Sequence, residues 1–314
     1  MVMILEASSH MPLSLRQHFV MSPQADRTLK RLTEIYEDPL GTNTSRGLLI
    51  LGPSGVGKST VIDEFVKAVS RDQFVPGKKL PILVVEIPAE PTKKTVAAAL
   101  LKALNDPFAD AQSHSAEFKL SRVVSLLSTL RVEMVILDEA QHLVDHKRTS
   151  TGVHEAADWV KSLMNRTSIA YVLVGLRTLE RLPRANEQFR RRFSAALDYD
   201  RFQLTESKWV HFYTLLKVLH GLLPVPAIDF TTEQMVQRLH HASFGVIDYL
   251  DKILDRATWL VKDKGEQGIT MAVLSEAFQD EVWNNAPEDR NPFSARFDFK
   301  PLIGHFEPFE DYDK

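Results

Sequence analysis

Residues 52–60 read Gly52-Pro53-Ser54-Gly55-Val56-Gly57-Lys58-Ser59-Thr60, and the first eight of them have the form G-x-x-x-x-G-K-[ST]. An apolar run over residues 47–51 enters this stretch as a predicted buried strand, and residues 61–66 leave it with helical spacing. Such a strand–loop–helix unit closes backbone N–H groups around a phosphate chain at the positive end of a helix. We therefore predict that residues 52–60 bind the phosphates of ATP or GTP.

Two carboxylates complete the predicted site. The apolar strand Met134-Val135-Ile136-Leu137 ends in Asp138 and Glu139, and parallel strands end at one edge of a sheet. Lys58 would contact the β- and γ-phosphates, and Ser59 and Asp138 would hold Mg²⁺. Glu139 would polarise the attacking water. This pairing favours NTP hydrolysis over a nucleotide kinase, because the sequence has no signature of a second substrate pocket.

Composition narrows the class of protein. The chain has 314 residues, 44% of them hydrophobic, enough for one large domain or two modest ones. A net charge of −3 excludes a globally basic nucleic-acid binder but leaves room for a local basic strip. The lack of cysteine excludes disulfides and thiolate chemistry. We find no signal peptide, and the apolar runs are too short to span a bilayer, so we expect a cytoplasmic protein without membrane contact.

The predicted organisation has four parts. Residues 1–46 are a helical lead-in, with a helix at about 22–36 and a loop at 39–43. Alternating strands and helices over 47–204 predict an α/β nucleotide-binding core with a parallel sheet, whose strands are 48–51, 82–87, 134–137 and 170–174. Residues 205–283 are a helical subdomain with helices at about 207–219, 232–242, 245–262 and 270–283. Residues 284–314 form an acidic tail with four prolines and six Phe or Tyr residues, read as irregular or disordered alone, with aromatics spaced like docking anchors.

The arginine triplet and the basic helix starts each remain open to two interpretations. Arg190-Arg191-Arg192 is either a solvated helix end or a source of arginine fingers that reach the γ-phosphate of a neighbouring subunit, with Arg192 preferred and Arg191 second. Helix starts at 92–95 and 113–122 offer either an ordinary solvated surface or contacts to DNA phosphates, from Lys93, Lys94, Ser115, Lys119 and Arg122. His142, His146 and His154 lack the further ligands of a zinc site.

The order of motifs resembles the AAA+ ATPases, and within them the TnsC/TniB transposition regulators. The resemblance covers about residues 20–265 and includes the phosphate loop, Asp138-Glu139-Ala140-Gln141-His142, Val172-Leu173-Val174-Gly175 and Glu187-Gln188 to Phe193. It implies an AAA+ P-loop NTPase fold with a parallel sheet core, a small helical lid and an irregular C-terminal tail. It also implies ATP and Mg²⁺ as cofactors, and a hexameric or heptameric ring or a filament of identical subunits around duplex DNA.

By the same resemblance, Lys94 and Ser115 match segments that face the DNA backbone without reading its sequence. The protein would link a target selector of the TniQ type to transposase subunits. The tail would be the hook for a partner, with short aromatic motifs such as Asn291-Pro292-Phe293 as its anchors. Hydrolysis would dissolve the assembly.

Two positions depart from the pattern. Leu176 stands where a polar sensor is usual, and Gly245-Val246-Ile247-Asp248 lacks the sensor arginine of the lid. Both departures predict slow turnover. The alternatives are another AAA+ ATPase, such as a helicase loader or a secretion-type ATPase, or a nucleotide-gated DNA scaffold with little hydrolysis.

Overall fold

The computed structural model describes residues 19–37, 47–73, 80–144, 150–185, 187–193 and 195–312. Contacts divide the chain into two compact units. The core unit is Pro23–Asp200, and the helical unit is Arg201–Lys314 together with the described residues 19–22. The predicted loop at 39–43 lies outside the described residues.

The core unit alternates strands and helices. Its elements, in chain order, are α1 (Pro23–Glu37), β1 (Gly47–Leu51), α2 (Lys58–Gln73), β2 (Ile82–Glu86), α3 (Lys93–Ala103), α4 (Ala116–Thr129), β3 (Met134–Asp138), a 3₁₀ turn (Ala140–Leu143), α5 (Ser150–Arg166), β4 (Ala170–Gly175), a second 3₁₀ turn (Arg177–Glu180), α6 (Arg181–Ala185), α7 (Glu187–Arg192) and β5 (Ala195–Asp198). The predicted α/β class and its four strands are confirmed. The structure adds β5, a fifth strand that the sequence pattern did not predict.

All five strands run parallel in the order β2-β3-β4-β1-β5. Strand β4 therefore lies between β1, which leads into the phosphate loop, and β3, which ends in Asp138. The register pairs Leu51 with Gly175, and Glu86 with Asp138. The ends of β1, β4 and β3 consequently meet at one edge of the sheet.

Helices cover both faces of this sheet, which explains its nearly continuous apolar strands. Residues of one parity, such as Leu49, Val135 and Leu173, pack in one cluster with Leu100 of α3 and Val160 of α5. Residues of the other parity are buried as well, on the face where α1 packs against β1 and α2. Burying one such side chain stabilises the fold by roughly 1.5–3 kcal/mol, so the paired faces fix the strand register.

The helical unit contains α8 (Trp209–Leu222), α9 (Glu233–Ser243), α10 (Ile247–Lys264) and α11 (Met271–Glu281). The four helices predicted here are all present, with ends that differ by a few residues. Thr232 and Thr270 cap two of them by accepting a hydrogen bond from a backbone N–H in the first turn. Their apolar faces share one core that includes Phe212, Leu239 and Phe278. Among the described residues, no helix has the length and apolar character that crossing a bilayer requires.

The structure of the C-terminal tail differs from the predicted docking role of its aromatic residues. Its described part, 284–312, contains no helix or strand, as predicted, but its aromatics are not free anchors. Phe293 is 3% exposed and Phe309 is 1% exposed, and both belong to the core of the helical unit. The prediction that Asn291-Pro292-Phe293 is an exposed anchor is therefore wrong, because all three residues are buried. Phe306, 81% exposed, is the most exposed Phe in the described part of this segment, and Phe299 is 37% exposed.

Two arginines hold the tail in place. Arg238 of α9 is buried and donates to the carbonyl oxygens of Pro292 and Ser294, the second at 2.8 Å. Arg290 donates to both carboxylate oxygens of Glu307, at 2.6 and 2.8 Å. These ion pairs raise the pKa of Arg290. The tail is thus part of the folded helical unit.

Candidate functional site

The phosphate loop occupies the turn between β1 and α2. Gly55 and Gly57 have φ values of 75° and 97°, a region that side chains with a Cβ disfavour, so glycine is required at both positions. Gly52 is confined for another reason, since a Cβ there would lie 1.8 Å from the carbonyl oxygen of Tyr199. These three residues curve the backbone so that its N–H groups and the start of α2 surround one small space.

Lys58 is folded into this loop. Its ammonium donates to the carbonyl oxygens of Gly52 at 2.9 Å and Pro53 at 2.6 Å, and the residue is 7% exposed. Burial lowers the pKa of Lys58, and the negative charges of Asp138 and Glu139 raise it in opposition. An ammonium has three N–H donors, so one remains for a phosphate oxygen. The loop therefore fits a nucleotide.

Ser59 and Asp138 are in direct contact across the sheet edge. The Ser59 hydroxyl donates to Asp138 Oδ2 at 2.8 Å, although 79 residues separate the two in sequence. The other oxygen, Oδ1, accepts the backbone N–H of Glu139 at 2.8 Å. A hydroxyl beside a carboxylate is a hard-oxygen donor set that suits Mg²⁺. Both predicted metal-binding residues thus lie together, in the position that the sequence predicted.

Glu139 directly follows this carboxylate and has an unusual backbone, with φ 52° and ψ 30°. Its Oε2 accepts a hydrogen bond from Nε2 of Gln141 at 2.5 Å. Gln141 Oε1 in turn accepts the backbone N–H of Leu176, at the end of β4, at 3.2 Å. Sequence reasoning missed Gln141. The signal was its place two residues after Glu139, which a tight turn brings back onto the carboxylate.

The arginine triplet lies at the opposite edge of the sheet. Phe193, next to Arg192, covers Gly47 at the start of β1, where a Cβ would come within 2.3 Å of its ring. Burial raises the pKa of Tyr171, and the nearby charge of Arg192 lowers it, which places Arg192 at the amino end of β4. Five residues separate Gly47 from Gly52, so this edge is roughly 16 Å from the phosphate loop of the same chain.

Arg191 and Arg192 differ in their surroundings. The Arg191 side chain is 78% exposed and pairs with Glu187 at 2.7 Å. Arg192 has a buried Nη1 for which no described residue supplies a hydrogen-bond acceptor. Arg191 is therefore the more exposed of these two arginines, and Arg192 is half-buried.

The structure separates the five candidate DNA contacts. Lys94, in the first turn of α3, and Ser115, which caps α4, are both exposed. Lys93 is half-buried. The Lys119 prediction is corrected, because Lys119 is 3% exposed and its ammonium donates to the carbonyl oxygen of Ala109 at 2.8 Å.

Arg122 is committed to an internal ion pair. Its guanidinium donates to both carboxylate oxygens of Asp106, whose side chain is fully buried. These hydrogen bonds lower the pKa of Asp106. Breaking a buried pair is costly, so Arg122 holds the segment before α4 in place and does not offer a free charge. Lys94 and Ser115 remain as candidate DNA contacts.

The histidines near Asp138 form no metal centre within the described residues, where no group of three His, Asp or Glu side chains could hold an ion. His146 and the side chain of His154 lie outside that part of the chain.

The phosphate loop follows β1 and the Asp138-Glu139 pair lies at the end of β3, with β4 between these two strands in the order β2-β3-β4-β1-β5. These features define an AAA+ nucleotide-binding protein. The chain belongs to the family of bacterial TniB proteins, whose sequence model matches residues 13–203, more than half of its length. This is a transposition-associated family of AAA+ ATPases. No curated protein matches the chain.

Solved structures share the fold. The chain is similar to the Aeropyrum pernix ORC2 protein in ADPNP–ADP complexes, with 18% identity, a TM-score of 0.63, and 87% of this chain and 72% of that chain covered. The Aeropyrum pernix ORC1 protein in complex with DNA gives 16% identity and a TM-score of 0.63, over 83% and 66% of the two chains. Cdc6p from Pyrobaculum aerophilum is similar with 14% identity and a TM-score of 0.62, and the match covers 86% of this chain and 70% of that chain.

Proposed function

We propose that this chain is an ATP-dependent regulator of DNA transposition that assembles on target duplex DNA and hydrolyses ATP between neighbouring subunits. The proposal rests on one observation, that the predicted catalytic groups lie at the two opposite edges of the sheet. One edge has Lys58, Ser59, Asp138 and Glu139, and the other has Arg191 and Arg192. Arg191 and Arg192 lie too far from the phosphate loop of their own chain to reach it, so a finger role for either of them requires the site of a neighbouring subunit. Membership of the TniB family supports the link to transposition.

The residues would act as follows. Lys58 and the loop amides bind the phosphate chain, and Ser59 and Asp138 hold Mg²⁺, which neutralises phosphate charge when bound. Glu139 orients a water molecule and accepts its proton as the water oxygen bonds to the γ-phosphorus and the bond from that phosphorus to the bridging oxygen breaks, with ADP as the leaving group. A neighbour's arginine offsets the charge that develops on the transferred phosphoryl group. Because nucleotide lies between subunits, binding stabilises the assembly and hydrolysis weakens it.

The DNA face would include Lys94 and Ser115, with Lys93 beside them. An exposed ammonium and a helix start are suited to phosphate oxygens and carry no base readout. The similarity to the Aeropyrum pernix ORC1 protein, which was solved in complex with DNA, supports DNA as the ligand. Within this proposal, the assembly would present a surface to a TniQ-type target selector and to transposase subunits, in a ring of six or seven subunits or a filament.

The test is electron microscopy of the purified protein with duplex DNA, with and without a non-hydrolysable ATP analogue. We expect rings or filaments only when both ligands are present, with Lys94 and Ser115 facing the duplex. Monomers in every condition would refute the assembly proposal.

A second candidate function is a nucleotide-gated DNA scaffold that barely hydrolyses. Two observations favour it: Leu176 is apolar at the end of β4, and Asp248 of the helical unit pairs with Lys252 at 2.7 Å. Glu139→Gln separates the candidates, because the amide cannot accept the proton from water. A cycling ATPase becomes locked on DNA, seen as a dissociation rate at least about tenfold slower after ATP addition, whereas a scaffold releases DNA at the wild-type rate.

A further inference from the structure

Gln141 forms a bridge between Glu139 and β4. The side chain is buried, at 8% exposure, and uses both ends of its amide: Nε2 donates to Glu139 Oε2 at 2.5 Å, and Oε1 accepts Leu176 N–H at 3.2 Å. Gly175 leaves room for this arrangement, because a Cβ at that position would lie 2.2 Å from Gln141 Oε1. A side chain at 175 would therefore displace the bridge.

The bridge continues to the phosphate loop. On the other side of β4, Gly52 N–H donates to the carbonyl oxygen of Gly175 at 3.0 Å. A continuous hydrogen-bonded path thus runs from Gly52 through Gly175 and Leu176 to Gln141 and ends at the Glu139 carboxylate. Through this path, a change in the position of the loop would be transmitted to the end of β4 and to the side chain that fixes Glu139.

The bridge also suits the chemistry of Glu139. One carboxylate oxygen is fixed by Gln141, which limits rotation of the side chain and leaves Oε1 to accept a proton from water. Leu176 itself has no polar atom in its side chain to bind a phosphate or a water. The polar group beside Leu176 is the amide of Gln141, which belongs to the 3₁₀ turn after β3 and is bonded to Leu176 N–H and to Glu139.

We propose that Gln141 is a positioning residue for ATP hydrolysis, which couples the phosphate loop to Glu139 through the end of β4. The inference rests on the proposed ATPase function. Gln141 acts through Glu139 and does not itself contact the reacting atoms.

Three variants test the bridge. Gln141→Ala removes both hydrogen bonds, and Gln141→Met removes them while keeping most of the side-chain volume. Gln141→Glu keeps an acceptor for Leu176 N–H and loses the donor to Glu139, until the new carboxyl is protonated. Two adjacent carboxylates raise an apparent pKa, so a protonated Glu at 141 restores the bridge as pH falls.

The first readout needs no activity. Amide hydrogen exchange at Leu176 is measured in the nucleotide-free chain, and we expect faster exchange in the Ala and Met variants and protection close to wild type in the Glu variant. The second readout is ATP hydrolysis on duplex DNA. We expect kcat to fall tenfold or more in the Ala and Met variants, since small displacements of a catalytic group can cost about 10²-fold, with the Kd for ATP changed less than about threefold. The activity of the Glu variant relative to the Ala variant should rise from pH 8 to pH 6.

The outcomes are separable. Unchanged exchange at Leu176 in Gln141→Ala would overturn the bridge, and unchanged kcat in both Ala and Met variants would overturn its role in hydrolysis. A loss of ATP binding equal to the loss of kcat would reduce Gln141 to a structural residue. A wild-type chain that forms assemblies but does not hydrolyse ATP would overturn the proposed ATPase function together with this inference, whereas a hydrolysing wild type with active variants overturns the inference alone.

Discussion

Arg192 and Glu139 lie at opposite edges of one sheet, so they cannot serve the same nucleotide within one chain. The separation is roughly 16 Å, five residues of strand β1 at about 3.3 Å per residue, and an arginine side chain does not reach that far. If Arg192 supplies a guanidinium for hydrolysis, it must act on nucleotide bound by another subunit. This geometry makes a quantitative prediction for mixtures of two inactive variants.

The variants are Arg192→Ala, which keeps its own Glu139, and Glu139→Gln, which keeps its own Arg192. Each alone should lose hydrolysis, by about 10³-fold or more for the finger. In a one-to-one mixture, a site works when an Arg192→Ala subunit supplies Glu139 and a Glu139→Gln subunit supplies the arginine. Random assembly gives this arrangement at about one interface in four, so the mixture should regain about a quarter of wild-type activity.

The assay is steady-state phosphate release on duplex DNA, with total protein held constant while the ratio of variants is changed. The matched control replaces Glu139→Gln by the double variant Glu139→Gln/Arg192→Ala, which offers no arginine at position 192 and should give no recovery if Arg192 is the finger. The same series with Arg191→Ala identifies which arginine acts, since Arg191 is the more exposed in the isolated chain. No recovery with either arginine, although the variants co-assemble, would refute the argument from sheet geometry.

Two further predictions concern charge. Lys94→Ala should weaken DNA binding and reduce the slope of log K against log salt by about one per protomer, as measured by fluorescence anisotropy. The control is Lys102→Ala on the same helix α3, which should leave the slope unchanged because Lys102 pairs with Asp110. Burial lowers the pKa of His240 to about 4, below its unfolded value, so the unfolded chain binds more protons between about pH 6.5 and pH 4. The free energy of unfolding should therefore have its full value above pH 6.5 and should fall by about 3 kcal/mol as the pH approaches 4. Urea titrations at pH 7.5 and pH 5 check this; His240→Gln should flatten the dependence, and an equal pH dependence in that variant would contradict it.

Much of the fold follows from local sequence. The four longer strands are continuous apolar runs with helical segments between them, and the phosphate loop has a spacing that few other structures use. Strand β5 was missed because Ala195-Ala196-Leu197-Asp198 is short and contains no β-branched or aromatic residue. Its place beside β1 comes from tertiary pairing, Leu49 with Ala196 for example, which local preference does not encode.

The site, like the fold, could be predicted from the sequence only in part. Ser59 and Asp138 could be placed together, since both belong to motifs whose position on a parallel sheet is known in advance. Lys119 was misread because a lysine at a helix start looks solvated in sequence, whereas its acceptor is a carbonyl ten residues away in a loop. Phe293 was misread because the arginine that fixes its neighbours, Arg238, is more than 50 residues distant.

The burial of the C-terminal segment has a practical consequence for mapping partners by deletion. Phe293 contacts Phe278 of α11 edge to face, and Phe309 stacks on Phe244 with centroids 5.1 Å apart. A chain shortened before residue 284 would leave the rings of Phe278 and Phe244 exposed to water. Arg238 would lose its carbonyl acceptors. Loss of an interaction in such a truncated protein would report misfolding of the helical unit as readily as loss of a contact. Substitution of Phe306, whose side chain lies in solvent, tests the segment without opening the hydrophobic interior beneath it.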